Sequence, residues 1–247
     1  MNINKLVNKF NSDGFVVLKN VLKKKEIIKL MNELDKLKYK VEKKHNQFFH
    51  KTSDNKFNTI HNIQKFHKQG EIINLTKNKK INYACKKILK NEIKVRNIEF
   101  FLKPKKTGMP SPFHQDNYYW NVINAKALNV WIACSNASEK NGGLCYLKSS
   151  HKLGTIEHEI SNMKGSSQRI PKNIINKLNF KKIYPKLKSG DCLIHHPEII
   201  HGSYKNNSNK DRVGFVISYA AKNHQIDLNR MRRYKLRLQQ NLKKIYN

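Results

Sequence analysis

From Val95 onward the chain is a series of short apolar runs separated by turn signals, and this pattern limits the choice of fold more than any other feature. The runs are rich in β-branched and aromatic residues and are bounded by segments such as Asn141-Gly142-Gly143 and Gly190-Asp191. Such spacing is typical of an antiparallel sandwich or barrel. The preceding segment has helical periodicity instead. The sequence therefore predicts an α+β, mainly β protein: a jelly roll with helices packed on it.

The length of 247 residues suits one large domain. We expect a single domain over residues 1–247, with a mostly helical N-terminal part (1–92), a jelly-roll core (93–221) and a basic C-terminal helix (222–247). Residues 156–189 have little periodicity and are expected to be an insertion in that core. Strands are predicted at 15–18, 95–102, 129–134, 144–147, 192–195 and 213–220, and Asn141-Gly142-Gly143 is expected to close a hairpin. Helices are predicted at 4–11 and 23–37, with two more within 71–91.

Two polar segments leave alternatives open. Residues 39–70 contain four histidines, His45, His50, His61 and His67, and a solvated, mobile surface segment is favoured over a substrate-binding loop. The C-terminal segment has apolar residues on one helical face and Arg and Lys on the other. A helix docked on its own domain is favoured there over a helix that binds an anionic membrane surface.

The formal net charge of +33 suggests binding to nucleic acid, but the kind of basic residue argues against a specific site. Only seven of the 50 basic residues are arginines, the type preferred for phosphate forks and base edges. The lysines are spread over the whole length. We therefore expect no specific nucleic-acid function, and only weak, salt-sensitive binding to polyanions.

The cysteine pattern predicts a reducing, cytoplasmic setting. None of the four cysteines, Cys85, Cys134, Cys145 and Cys192, belongs to a Cys-x-x-Cys pair. Three lie in apolar runs and are expected to be buried, reduced thiols. We expect no signal peptide, because the first ten residues are polar. No apolar run is long enough for a transmembrane helix.

The strongest chemical signal is His114-Gln115-Asp116. Residues two apart on a strand face the same side, so an imidazole and a carboxylate would point into one cavity. These are two of the three ligands in the 2-His-1-carboxylate triad of non-haem Fe(II) oxygenases. The stretch from Gly190 to Ser203 offers a third imidazole, at His195, His196 or His201.

Arg212 opens an apolar strand and is expected to point inward. A buried arginine requires a carboxylate, and the sequence shows no protein carboxylate placed to meet it. A bound dicarboxylate would satisfy its guanidinium through a bidentate contact.

Several motifs together resemble the phytanoyl-CoA dioxygenase family of Fe(II)/2-oxoglutarate-dependent oxygenases. They are Asp13-Gly-Phe-Val-Val-Leu18, Phe113-His-Gln-Asp116, Trp131-Ile-Ala, Asn141-Gly-Gly-Leu144, Ser150-His-Lys, His201-Gly-Ser203 and Arg212. The resemblance covers most of the chain. It implies a double-stranded β-helix (a cupin-like jelly roll) and an enzyme that hydroxylates a small molecule with Fe(II), 2-oxoglutarate and dioxygen. Lys148-Ser149 replaces the usual Pro-Gly, and residues 156–189 match no family motif, so the substrate stays open.

The resemblance also implies a role for individual residues. His114, Asp116 and His201 would be the iron ligands, and Arg212 with Ser203 would hold 2-oxoglutarate. Two further candidates for the wall of the co-substrate pocket are Asn129 and Trp131, although core packing is an equal alternative for Trp131. A carboxylate at position 116 favours oxygenation over the halogenation carried out by relatives that have Gly or Ala there. The alternative is a catalytically silent scaffold or a basic, polyanion-binding adaptor.

Overall fold

A computed structural model of the chain describes residues 2–163 and 166–246, without the side chains of residues 162 and 240–246. The helices are α1 (Ile3–Asp13), α2 (Lys24–Lys44), α3 (Glu71–Asn74), α4 (Lys79–Leu89), α5 (Asp116–Trp120), α6 (Lys172–Lys177) and α7 (Leu228–Tyr246). The strands are β1 (Phe15–Leu18), β2 (Phe49–Lys51), β3 (Phe57–Ile60), β4 (Ile93–Lys103), β5 (Ser111–His114), β6 (Ala127–Ala133), β7 (Leu144–Leu147), β8 (Glu159–Met163), β9 (Ser166–Arg169), β10 (Lys182–Ile183), β11 (Cys192–His195), β12 (His201–Ser203) and β13 (Arg212–Ala221).

Two antiparallel sheets form the jelly roll. The larger has the strand order β1-β11-β6-β13-β4-β3-β2 and the smaller has the order β10-β7-β12-β5, while β8 and β9 form a separate hairpin. Strands that are distant in sequence alternate within each sheet. This is the double-stranded β-helix that the sequence predicted.

The large sheet is buried on both faces, and strand alternation divides its side chains between two cores. On β6, Leu128, Val130 and Ile132 pack in the core that the sheet shares with the N-terminal helices. Trp131 and Ala133 point the other way, into the core that includes Tyr146 of the small sheet. Every residue of β6 is consequently buried. The face toward the small sheet also carries the candidate functional side chains.

The N-terminal helices cover the outer face of the large sheet. The α1 helix is capped by the Asn2 side chain, which accepts a hydrogen bond from Lys5 N–H, and it ends at Gly14 with φ of 82°. In α2, Leu30, Leu34 and Val41 recur at helical spacing and are fully buried against the sheet. These helices hold the large sheet in place behind the site.

Two local expectations were wrong. Residues 39–70 are not a solvated segment: α2 continues to Lys44, β3 pairs with β4, and Ile60 and Ile63 are fully buried. The Asn141-Gly142-Gly143 turn does not close a hairpin, because β6 and β7 belong to different sheets and the turn crosses between them. The segment expected to be an insertion, residues 156–189, contains the β8–β9 hairpin, α6 and β10, apart from the undescribed residues 164 and 165.

The C-terminal helix docks on its own chain. The Tyr234 ring makes edge contacts with Tyr118 and Tyr119, at centroid distances of 6.0 and 5.9 Å. Arg237 Nη1 donates a hydrogen bond to Tyr118 Oη at 2.8 Å. The predicted apolar face is only partly covered, since Leu228 is 55% exposed. The two last residues of that face, Leu242 and Ile245, lie outside the described side chains.

All four cysteines are buried free thiols, whereas the sequence predicted this for three of them. In the described parts of the chain, no helix combines the length and the apolar character needed to cross a bilayer.

Candidate active site

The candidate site is a cavity of about 680 Å³ that opens between the two sheets. The small sheet contributes His114 from the end of β5 and His201 from β12. The large sheet contributes side chains from β4, β6 and β13. Residues that are far apart in the sequence therefore meet between two sheets held in place by packing on both sides.

His114 and His201 are direct cross-strand partners on β5 and β12, so their rings lie on the same face. Each ring nitrogen Nδ1 lies within hydrogen-bonding distance of a carbonyl two residues earlier: Pro112 at 2.8 Å for His114, and Ile199 at 3.1 Å for His201. Because a carbonyl only accepts, each Nδ1 must carry the proton. Both Nε2 atoms therefore present lone pairs to the cavity, as metal ligation requires.

Asp116 completes the cluster from a different element than expected. It is the first residue of α5 and not part of the β5 strand. Gln115 before it is still extended, so Asp116 points to the same side as His114. Its Oδ1 atom lies 3.8 Å from His114 Nε2 and 3.9 Å from His201 Nε2. The candidate ligand atoms of these three residues all lie within 4.8 Å of one another.

The ionisation of these groups suits a divalent cation. Burial lowers the pKa of His114 and of His201 to about 4, so both rings are neutral ligands at neutral pH. Burial opposes ionisation of Asp116, but His201 and the hydrogen bond from His195 outweigh it and lower the Asp116 pKa below its ordinary value. Two neutral imidazoles and one carboxylate match the donor set of a non-haem iron site.

A chain of hydrogen bonds orients the Asp116 carboxylate. Its Oδ2 atom accepts from His195 Nε2–H at 2.9 Å and from Asn129 Nδ2–H at 2.6 Å. The Tyr146 hydroxyl lies 2.8 Å from His195 Nδ1 and donates to it, which fixes the His195 tautomer. Ser218 in turn donates to Asn129 Oδ1. With Oδ2 held by two donors, Oδ1 is the atom left to face the two histidines.

This network separates the three candidates for the third imidazole. His195 binds the far oxygen of Asp116, and His201 faces the centre of the cluster. His196 lies away from it: its Nδ1 accepts a hydrogen bond from the Glu198 N–H, and its ring contacts those of Phe10 and His151. The geometry thus groups His201 with His114 and Asp116, in the combination that the family resemblance implies.

Arg212 is 2% exposed and points into the same cavity. Its guanidinium carbon lies 5.4 Å from the Trp131 ring centroid, Nη1 makes only a 3.5 Å contact with the Phe101 carbonyl, and Nε has no hydrogen-bond partner. Burial lowers its pKa to about 9, so the group is still cationic at neutral pH. In the described part of the chain it forms no ion pair. A buried, unpaired cation of this kind fits the carboxylate of a ligand.

The other predicted site residues also lie around the cavity. Ser203 and Trp131 line it, with Trp131 under the Arg212 guanidinium. Asn129 lines it as well, and its side-chain amide is engaged with Asp116. Tyr119 and Trp120 contribute to the wall, whereas Tyr118 packs behind, against His158.

The sequence did not indicate the roles of several further side chains in or behind this cavity, and it offered His195 only as a possible metal ligand. Tyr146 and His195 support Asp116 from behind, and nothing local in the sequence indicates that contact. Lys103, 4% exposed, lies opposite Arg212 in the β4–β13 register and donates to the Tyr204 carbonyl. Arg96 and Glu99 line the cavity from β4. The sequence did offer one signal for Glu99. It interrupts the apolar run of the predicted 95–102 strand between Ile98 and Phe100, and alternation along a strand would place it on the opposite face from both.

Comparison with known proteins finds a matching family model and similar proteins. A family model described as phytanoyl-CoA dioxygenase (PhyH) matches residues 10–214. The phytanoyl-CoA dioxygenase domain-containing protein 1 of Danio rerio is 23% identical over 56% of this chain and 48% of that protein. A probable alpha-ketoglutarate-dependent hypophosphite dioxygenase of Stutzerimonas stutzeri is 27% identical over 61% of this chain and 53% of that protein. The chain thus spans about half the length of these two relatives.

Solved structures match the fold. The crystal structure of EctD from S. alaskensis with 2-oxoglutarate and 5-hydroxyectoine superimposes with a TM-score of 0.75. It is 18% identical in sequence, and the match covers 90% of this chain and 77% of that one.

Proposed function

The chain belongs to the phytanoyl-CoA dioxygenase family, and on that premise we propose that it is an Fe(II)- and 2-oxoglutarate-dependent dioxygenase that hydroxylates a small molecule. One observation carries the proposal. Two imidazole lone pairs and one carboxylate oxygen converge at one end of a cavity, and the same cavity holds a buried arginine without a carboxylate partner.

In this proposal His114 Nε2, Asp116 Oδ1 and His201 Nε2 hold the iron. The structural support is that the other polar atom of each side chain is already engaged, so the three atoms are oriented before metal arrives. His195 and Asn129 keep the carboxylate in place.

Arg212, with the Ser203 hydroxyl, would hold the distal carboxylate of 2-oxoglutarate. The unpaired Nε and the absence of a protein carboxylate among its described neighbours support that role. Trp131 supports the guanidinium from one side. Once bound, iron, 2-oxoglutarate and dioxygen supply the oxidising chemistry, which yields succinate, carbon dioxide and a hydroxylated product. The chain's own contribution is to position these groups.

The direct test is formation of succinate from 2-oxoglutarate. Protein loaded with Fe(II) under anaerobic conditions is exposed to air, and succinate is quantified with the wild type, with His114→Ala and with the surface control Lys210→Met. We expect succinate from the wild type and the control only. Equal succinate from all three would contradict the proposal, and so would a wild type that binds neither Fe(II) nor 2-oxoglutarate.

The alternative function is a silent scaffold or a polyanion-binding adaptor, which the charge of +33 favours. It predicts salt-sensitive binding to heparin with no affinity for 2-oxoglutarate. The same titrations therefore distinguish the two.

Three finer statements belong to the same proposal. The chain acts as one domain over residues 1–247, its product is oxygenated and not chlorinated because Asp116 occupies a ligand position, and it works in the cytoplasm. Four free, buried thiols support the last statement.

A further inference from the structure

The wall of the cavity formed by β4 carries two charged side chains that the iron and co-substrate roles leave unused. Arg96 and Glu99 both line the cavity, on the strand next to the one that opens with Arg212. The Asp116 charge raises the pKa of both Arg96 and Glu99, so both side chains lie near the candidate iron site.

Arg96 reaches the cavity through a distortion of the strand. Asn97 pairs with Ser218 and Val95 pairs with Tyr219, so Arg96 is the extra residue of a β-bulge. Gln64 stabilises the bulge, since its amide donates to the Arg96 carbonyl at 3.3 Å and accepts from the Ile98 N–H at 2.9 Å. Bulges of this kind re-aim one side chain and are common beside active sites.

The Arg96 guanidinium is held over an aromatic ring. Its central carbon lies 4.8 Å from the ring centroid of Trp120, another residue of the cavity wall. A cation stacked on an aromatic face keeps its N–H edges free for an anionic ligand. In the described residues Arg96 forms no ion pair.

Glu99 faces the same cavity because it alternates with Ile98 and Phe100, which pack in the core on the other face of the sheet. Burial raises the pKa of Glu99 to about 7, and the nearby Asp116 charge acts in the same direction. A hydrogen bond from Asn97 and the attraction of the Arg96 charge oppose them, so Arg96 and Glu99 act on each other across the cavity wall. Nowhere in the described chain does Glu99 meet a Lys or Arg closely enough to form an ion pair. A cationic group in the cavity would satisfy this carboxylate.

We propose that Arg96 and Glu99 form the substrate-recognition subsite, and that the substrate is a small zwitterion whose anionic group binds Arg96 and whose ammonium group binds Glu99. The inference rests on the proposed oxygenase function and names its substrate class. The two residues lie three positions apart on the strand, and because the bulge at Arg96 shortens the rise, their spacing along its axis is less than the roughly 10 Å of a regular strand. That spacing suits two charges on one compact, flexible skeleton, which the subsite holds beside the iron.

A matched series of six-carbon probes tests the charge requirement. The series is 6-aminohexanoate with both charges, hexanoate with the anion only, hexylamine with the cation only, and 1-hexanol with neither. Binding is measured by anaerobic calorimetry on protein saturated with Fe(II) and 2-oxoglutarate. We expect 6-aminohexanoate to bind at least about tenfold more tightly than any other member, since each charge-assisted contact contributes about that much.

Substitutions then assign each charge to its residue. Glu99→Gln should remove the advantage of 6-aminohexanoate over hexanoate, and Arg96→Met should remove its advantage over hexylamine. Arg96→Lys, which keeps the charge, should restore part of the second advantage. Lys94→Met, an exposed position on the same strand, is the matched control and should change neither ratio.

The outcomes separate this inference from the proposed function. Normal Fe(II) and 2-oxoglutarate binding without a preference for 6-aminohexanoate, or without binding of any probe, would overturn the subsite and leave the oxygenase proposal intact. A wild type that binds neither Fe(II) nor 2-oxoglutarate would instead overturn the proposed function. Thermal unfolding of each variant shows whether it is folded. If Arg96→Met does not fold, the binding preference of Arg96→Lys tests the role of Arg96 instead.

Discussion

Replacement of Arg212 by Met should have opposite effects on co-substrate binding and on the stability of the ligand-free protein. Loss of one partner in a buried, charge-paired contact costs about 2–5 kcal/mol. We therefore expect the dissociation constant of 2-oxoglutarate to rise from about 30-fold to several thousand-fold. Iron affinity should be unchanged, because Arg212 does not belong to the His114, Asp116 and His201 cluster.

The ligand-free protein should behave differently. Burial lowers the Arg212 pKa from its ordinary value to about 9, and each tenfold change in ionisation constant is about 1.4 kcal/mol. The folded protein therefore bears an unfavourable free energy of several kcal/mol for this unpaired charge. Methionine fills a similar space beside Trp131 without that charge. We expect the free energy of unfolding to be unchanged or higher in Arg212→Met.

Urea denaturation with and without 2-oxoglutarate measures both effects. A ligand present at one hundred times its dissociation constant stabilises the wild type by about 2.7 kcal/mol. Arg212→Met should lose this ligand-dependent stabilisation, and the exposed control Lys210→Met should keep it. If Arg212→Met is destabilised by more than about 2 kcal/mol and still gains stability from 2-oxoglutarate, Arg212 is a structural residue and the reasoning fails.

Four further predictions concern the metal, its support, pH and the product. Asp116→Ala should abolish Fe(II) binding in an anaerobic titration, and undiminished affinity would show that Asp116 is not an iron ligand. His195→Phe removes a donor to the far oxygen of Asp116, and it should weaken iron binding about 10- to 100-fold; an unchanged affinity would show that this support is dispensable. Burial lowers the pKa of His158 and of His196 to about 3, so the unfolded chain binds more protons between pH 6.5 and 3 and stability falls on acidification through that window. Each histidine should lower the free energy of unfolding by about 1 kcal/mol at pH 5.5 relative to pH 7, measured by urea denaturation. In His196→Asn the contribution of His196 should be missing, and a pH dependence equal to that of the wild type would refute this. Under 18-O dioxygen and saturating chloride, mass spectrometry should find a labelled hydroxylated product, and a chlorinated main product would contradict the role of Asp116.

The sequence predicted which side chains converge in the cavity better than it predicted the backbone that carries them. The period of two placed His114 and Asp116 on one side, and they do converge, although Asp116 already begins α5. Gln115 explains the difference. It is extended and fully buried, and its side chain donates to the Gly154 and Glu198 carbonyls, which are long-range partners that no local pattern reveals.

Long-range contacts account for the other failures as well. Residues 39–70 are polar in composition, yet β3 gains order by pairing with β4, about forty residues later in the chain. His195 was weighed as a metal ligand because spacing alone cannot distinguish a ligand from a residue that supports one. The distinction depends on the Asp116 and Tyr146 contacts, which arise only when the two sheets close on each other.

The most direct test of the central claim is a crystal structure of the protein grown anaerobically with Fe(II) and 2-oxoglutarate. We predict a metal bound by His114 Nε2, Asp116 Oδ1 and His201 Nε2, with the distal carboxylate of 2-oxoglutarate on Arg212 and with His195 still bound to Asp116 Oδ2. A metal held by His195 or His196, or a cavity that binds neither group at saturating concentrations, would contradict the account.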